Sequence, residues 1–191
     1  MYLGRLFAAF LGFILIIILV IFLFVGGGKK NTPTTPAKTL PSYANTDATV
    51  SMTIDGPING DDAHRAIKVT VGQNSRELDV IQGYSGTVIQ TNPFYNSQNA
   101  YNVFLHAINL SGFTLLRKGT SASLDSTGQC ALGERFTFTL EQDGNVISHL
   151  WTSTCGTSTG NFAGNSPSLQ QLFEAQITNY DTLTENVNFG L

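Results

Sequence analysis

The chain is poor in charge. Of its 191 residues, 10 are Lys or Arg and 13 are Asp or Glu. From Ala48 onward the balance tips further. Six basic residues (Arg65, Lys68, Arg76, Arg117, Lys118 and Arg135) stand against twelve acidic ones, a net charge of −6. That excludes nucleic acid and anionic glycopolymers as partners, because neither approaches a surface without a basic patch. Cysteine is nearly absent. Two residues, Cys130 and Cys155, are too few for a Cys-rich zinc site or a dense disulfide scaffold. The three histidines, His64, His106 and His149, lie far apart, and no pair has helical or zinc-finger spacing. No nucleotide or phosphate motif and no internal repeat is present. Neither a metal nor a cofactor is expected.

What is present begins with apolarity. Leu6 to Val25 is a run of 20 residues without a charge. At ~1.5 Å per residue it spans about 30 Å, the thickness of a bilayer's hydrocarbon core. A helix is the single-segment structure that satisfies its own backbone there. Arg5 flanks one end and Lys29 and Lys30 the other. A cleaved signal peptide has an apolar region of only about 7–15 residues ending in an A-x-A-like site, so a retained anchor is expected. Counted alone, the flanking charges place the C-terminal domain inside. The paired placement of the cysteines and the lysine-poor, Thr/Ser/Asn/Gly-rich domain argue for outside, and outside is the expectation taken here. Gly4, Ala8 and Gly12 recur every four residues, a small-residue face through which two spans can dimerise.

The expected organisation is a short tail (1–5), a transmembrane helix (6–25), a flexible Gly/Pro/Thr-rich stalk (26–47) and one extracytoplasmic domain (48–191). The stalk has little to bury, and its prolines favour extended backbone. The domain reads as α+β, with a mainly antiparallel sheet of about five to seven strands and two helices. Val50, Met52 and Ile54 alternate with polar residues, as do Ile67, Val69 and Val71. Leu78–Ile81 and Thr87–Ile89 are short strands around the Gly83-Tyr84-Ser85-Gly86 turn. The period then changes to that of a helix at Ala100, Tyr101, Phe104, Leu105 and Ile108, capped by Asn96 or Ser97 and ended by Gly112. Phe113–Leu116 reads as a strand. A second helix starts after Ser166-Pro167, with Leu169, Leu172 and Phe173 inward. In the tail, Tyr180 and Phe189 are the packing anchors.

The clearest local signal is a hairpin. Arg135–Glu141 alternates strictly, Asp143-Gly144 marks a type I′ turn, and Val146–Trp151 returns. A plain two-residue loop pairs Leu140 with Ile147, Phe138 with His149 and Phe136 with Trp151, all on the core face. The same register brings Cys130 and Cys155 to the open end of the hairpin, within reach of a disulfide. Such a bond persists in an oxidising compartment.

Catalytic readings fail one by one. Trp151-Thr-Ser-Thr-Cys155 is similar to the Thr-Leu-x-Thr-Cys strand of sortases, but a sortase needs an arginine after the cysteine. The last arginine here is Arg135, and a paired Cys155 is no nucleophile. Asp55, Asn59, Asp61 and Asp62 form an acidic turn, with Pro57 where a calcium loop needs an oxygen ligand. It is expected to be solvated. Gly83-x-Ser85-Gly86 is one residue short of a nucleophile elbow. Asn109-Leu-Ser111 is a formal glycosylation sequon at a helix end. One loop, Gly156–Ser166, is long and polar with a single aromatic. Asn161, Phe162 and Asn165 are therefore the candidate partner-binding residues.

The C-terminal half resembles a group of uncharacterised single-span proteins of Saccharibacteria and related candidate-phylum bacteria. The resemblance is carried by Asn99-Ala-Tyr-Asn-Val-Phe-Leu105, Gly112-Phe113-Thr114, Gly128-Gln-Cys130, Gly133, Trp151-Thr-Ser-Thr-Cys155, Gly160-Asn-Phe162, Leu172-Phe173 and Gln176-Ile177. It implies a cell-surface location and no particular activity. The expected function is therefore a membrane-anchored surface or envelope module binding a protein or cell-wall partner. The alternatives are an accessory subunit of a membrane complex, and an enzyme (a hydrolase or transpeptidase) with an unrecognised site.

Overall fold

Alternation at period two puts every second residue of a strand on one face, and the computed structural model uses that to build one sheet with one covered side. It describes residues 38–118, 125–156 and 160–189. The apolar run 6–25, the small-residue face of Gly4, Ala8 and Gly12 and most of the stalk lie outside those residues. Among the described residues no helix is long and apolar enough to cross a membrane.

Six antiparallel strands form the sheet: β1 (Thr49–Asp55), β2 (Arg65–Val71), β3 (Ser75–Gln82), β4 (Thr87–Tyr95), β5 (Arg135–Gln142) and β6 (Asn145–Ser153). Their spatial order is β4-β3-β2-β1-β5-β6. Three helices follow the chain, α1 (Gln98–Leu110), α2 (Ser166–Glu174) and the short α3 (Tyr180–Thr184). Ser97 caps α1 by accepting from the Ala100 amide, and Asn165 caps α2 by accepting from Ser168.

One face of the sheet carries Val50, Met52, Ile67, Val69, Leu78, Phe138 and Leu150, all buried. Tyr101, Phe104, Leu105 and Ile108 of α1 and Leu169 and Phe173 of α2 complete that core. Phe104 meets Phe173 edge to face at 5.1 Å. The Tyr101 hydroxyl donates to the Ala48 carbonyl at 2.7 Å, and burial pushes its pKa far above the usual phenol range. The other face is polar, with Ser51, Thr53, Lys68, Thr70, Glu77, Asp79, Thr137 and Thr139 in register across four strands.

Four expectations change. Residues 40–47 belong to the domain and not to a stalk, because Leu40, Tyr43 and Ala44 are buried in the core beside a 3-10 turn at Leu40–Tyr43. Strand β4 runs to Tyr95, well past Ile89. Phe113–Leu116 is mostly turn: Leu116 makes a single bridge to Phe162, and Phe113 packs into the core against Phe138 of β5.

The fourth change is register. Asp143-Gly144 is the hairpin turn, and Gln142 pairs with Asn145 as expected. A bulge between Leu140 and Glu141 then shifts the pairing by one. Phe138 faces Leu150, Phe136 faces Thr152, and His149 pairs with Thr139 on the polar face, exposed. A one-residue slip flips every side chain beyond it, so His149 and Trp151 leave the core face, while Ile147, the extra residue of the bulge, still packs against the core.

The cysteines do meet. Cys130 and Cys155 form a disulfide with Cα atoms 5.5 Å apart. The hairpin ladder continues past its named ends through mutual contacts of Glu134 and Thr154, which delivers both residues to the clamp. Gly133 sits against it, and a methyl group there would come within 2.7 Å of the Cys130 sulfur. The bridge closes a loop of sequence separation 25. Replacing both cysteines by serine is expected to lower the unfolding free energy by about 3 kcal/mol. The check is the denaturation midpoint of wild type, with and without reductant, against that of the double variant. Reduction should leave the variant unmoved.

Candidate interaction surface

A sheet presents unpaired backbone groups at both edges, and a protein must cover them or use them. Here the two edges are treated differently. At the β6 edge the chain covers itself. The Asn161 side chain accepts from the Trp151 amide at 2.7 Å, and the Phe162 amide donates to the Trp151 carbonyl at 3.0 Å. On their far side, Arg117 donates to the Asn161 carbonyl and Ala163 to the Leu115 carbonyl. Gly160 makes the close approach possible. Its φ is +62°, and a Cβ there would lie 2.1 Å from the Trp151 carbonyl oxygen.

Each of the three candidate binding residues has a place in the fold. Asn161 and Phe162 are each 2% exposed. Phe162 packs on Phe138 with centroids 4.7 Å apart, and Asn165 is the cap of α2. Burial leaves Asn161 and Phe162 no free contact surface, whereas Asn165 stays exposed while its side chain caps α2.

The β4 edge is open. Its nine residues, Thr87 to Tyr95, contain no charge and are mostly exposed. The Asn96 amide donates to the Asn74 carbonyl and so extends the β3–β4 ladder in the register of Ser75 with Tyr95. By alternation, Asn92 and Phe94 turn their backbone groups toward β3, while Thr91, Pro93 and Tyr95 turn theirs outward. The far half is blunted. Pro93 has no donor, and the Arg76 guanidinium occupies the Tyr95 carbonyl. That leaves the near half, Thr87 to Thr91, as the usable edge. A second irregularity lies here, where Val80 pairs with Gln90 and Ile81 with Val88, so Ile89 is the extra residue. Ile89 is 49% exposed and Tyr95 82% exposed.

The titratable cluster at the opposite end of β1 is saturated. Asp55 accepts from His64 Nε2 at 2.8 Å and from Arg135 Nε at 2.8 Å and Nη2 at 2.5 Å. Arg135 also donates to the carbonyls of Gly56 and Gln129. His64 stacks on Tyr84 at 4.1 Å, and its Nδ1 lies 3.3 Å from the Pro57 carbonyl. The acidic turn is therefore more than a solvated loop. Asp61 accepts from the Tyr84 amide, and Tyr84 OH donates to the Asn59 carbonyl, so this turn holds the β3–β4 turn in place. Sequence reading missed this network because its members come from two strands, the β1–β2 loop and the β3–β4 turn, far apart along the chain.

Two depressions flank the C-terminal segment. One, of about 480 Å³, is wide and lies between α2 and α3. Burial, and after it the nearby Asp181, raises the Glu174 carboxyl above its usual range there. The other, about 220 Å³, lies between the near half of β4 and residues 182–187, with Arg65 on its wall. Among the described residues no group of three or more His, Cys, Asp or Glu is placed to hold a metal. No protein-family model matches the chain, and no curated protein matches it.

Proposed function

We propose that the chain is a single-pass, membrane-anchored protein whose extracytoplasmic domain binds a surface or envelope partner, and that β4 is the strand that meets it. The apolar run 6–25 supports the anchor. The Cys130–Cys155 disulfide supports the outward placement, since such bonds persist in oxidising compartments. The observation that carries the binding role is the contrast between edges. The chain spends Asn161 and Phe162 on closing β6 and leaves an uncharged, exposed β4 unclosed. An open edge of this kind accepts an extended segment by main-chain hydrogen bonds.

The test uses the native cells. A photoreactive benzoylphenylalanine is placed at Ile89 or, as control, at Val103 on the exposed face of α1. Irradiation should give a discrete adduct from position 89 and none from 103, and the Thr91→Pro change should abolish it by removing an outward N–H. In parallel, an impermeant reductant followed by an impermeant maleimide should label both cysteines on intact cells. Adducts unaffected by Thr91→Pro would sink the β4 assignment. Labelling only after lysis would sink the outward placement.

A further inference from the structure

The smaller depression joins an arginine to the open half of the edge strand. Arg65 lies on its wall together with Val80, Leu183 and Val187, and it reaches the open half of β4 at Ile89 and Gln90. Arg65 Nη1 is held by two backbone carbonyls, those of Asp62 at 2.7 Å and His64 at 2.8 Å. The guanidinium is thus fixed in place, while Nε and Nη2 have no hydrogen-bond partner among the described residues. Among the described residues no carboxylate lies within ion-pair distance of it. Arg76 and Arg117 are also bonded to backbone carbonyls without a carboxylate. What sets Arg65 apart is that it lies on the wall of a depression beside the open edge strand, where an anion can reach it. A guanidinium prefers a planar carboxylate, which it grips with two N–H groups.

Size narrows the ligand. The cavity's 220 Å³ equals about seven water volumes, enough for a carboxylate and a short branched chain. The walls agree, because Val80, Ile89, Leu183 and Val187 are aliphatic. Of the polar lining, the Gln90 amide is already engaged by Asn92 and the Leu183 carbonyl, and the uncharged Thr182 and Asn186 complete it, so Arg65 is its one charge. The cavity also reaches the edge strand, where Thr91 turns its N–H and C=O outward.

We propose that the Arg65 cavity binds the free C-terminal carboxylate and small aliphatic last residue of an extended peptide whose preceding residues lie along Thr87–Thr91 of β4. This rests on the binding-module reading and names its partner by chemistry. A free short-chain acid has the same head and body but makes no use of β4.

The full chain in detergent solution is mixed with acetylated hexapeptides randomised over Ala, Ser, Thr, Val and Leu. One pool carries a free C-terminus and one a C-terminal amide, and retained peptides are read by mass spectrometry. The free-acid pool should be retained at least about tenfold over the amide, the loss expected when a charge-assisted pair is removed, and should be enriched in Val, Leu or Ala at the last position. Arg65→Gln should erase the discrimination, and Arg65→Lys should restore part of it. Thr182→Glu, at an exposed lining position, supplies Arg65 with a carboxylate from the chain itself and should block retention without disturbing the fold. Thermal unfolding of each variant confirms folding. Equal retention of acid and amide pools, no retention at all, or an Arg65→Gln protein that still discriminates would overturn the proposal. Isovalerate displacing the pool mole for mole would overturn the peptide assignment. The two readings separate through Thr91→Pro. If it abolishes retention that is blind to the terminus, β4 binds but the cavity does not read a carboxylate. If discrimination survives it, the cavity works without the edge.

Discussion

Asp55→Ala is expected to destabilise the domain by about 3–5 kcal/mol, because it leaves a buried cation without its anion. Arg135 has a side-chain exposure of only 3% and sits on Asp55 through two of its nitrogens. Two backbone carbonyls remain to it after the substitution, but neither carries charge. His64, 4% exposed in its side chain, loses its only side-chain hydrogen-bond partner at the same step. The effect should spread beyond β1. His64 stacks on Tyr84, which is bonded to Asn59 and Asp61, so the turn between β3 and β4 loosens as well. The measurement is the urea midpoint at unchanged m-value. A companion variant, Asp55→Leu with Arg135→Met, removes both charges and should recover much of the loss, since a buried pair replaced by apolar groups is often neutral or better. A single-variant cost below about 1 kcal/mol, or a double variant no better than the single, would show that the pair carries no such burden.

Much of this fold can be read from periodicity, and the places where it cannot share a cause. Strands β1, β2 and β5 alternate cleanly because one face is buried and the other is not. Helix α1 is legible from the spacing of Tyr101, Phe104, Leu105 and Ile108. Strand β6 is ambiguous in principle. Val146, Ile147, Leu150 and Trp151 put apolar residues on both parities, so alternation supports two registers equally. What decides between them lies elsewhere in the chain. Leu150 is buried with the core, and Trp151 is covered from the other side by Gly160. A bulge at Leu140–Glu141 is the local adjustment that lets both happen. Strand β4 stops at Ile89 in a sequence reading, and residues 90–93 (Gln-Thr-Asn-Pro) offer no apolar alternation to extend it. It continues in the structure because Pro93 falls at an outward position, where no donor is required.

The candidate site divides along the same line. The disulfide was legible, since a hairpin's register can be extrapolated to its mouth, and a one-residue slip is absorbed by the residues beyond the strand ends. The loop residues Asn161 and Phe162 were noticed for composition, but a polar loop with one aromatic has the same signature whether the aromatic faces solvent or the core. Arg65 carried no signal at all. Its meaning comes from the depression that Val80, Leu183 and Val187 build beside it, which a linear sequence does not display.

Phe138→Ala is the sharper test of how the β6 edge is closed. Phe138 is fully buried and sits between Phe113 and Phe162, with centroids at 6.1 and 4.7 Å. Truncation of such a side chain costs about 3–5 kcal/mol through lost burial and the cavity left behind. The loss should also have a direction. Phe162 holds the segment that covers the Trp151 backbone, and its seat is the Phe138 ring. Without that ring, the edge cover should detach before the sheet does. Amide exchange at Trp151 and Phe162 is therefore expected to accelerate by more than the global destabilisation explains, while Val69 in the centre of the sheet follows the global value. Phe138→Leu keeps part of the seat and should cost less, with the cover retained. If Phe162 stays as protected as Val69 in Phe138→Ala, the segment is held by its backbone bonds and Asn161 alone, and the aromatic contact is packing without a role in closure. An uncovered β6 should also make the variant self-associate, because the unpaired groups at Trp151 and His149 then offer a second open edge beside β4.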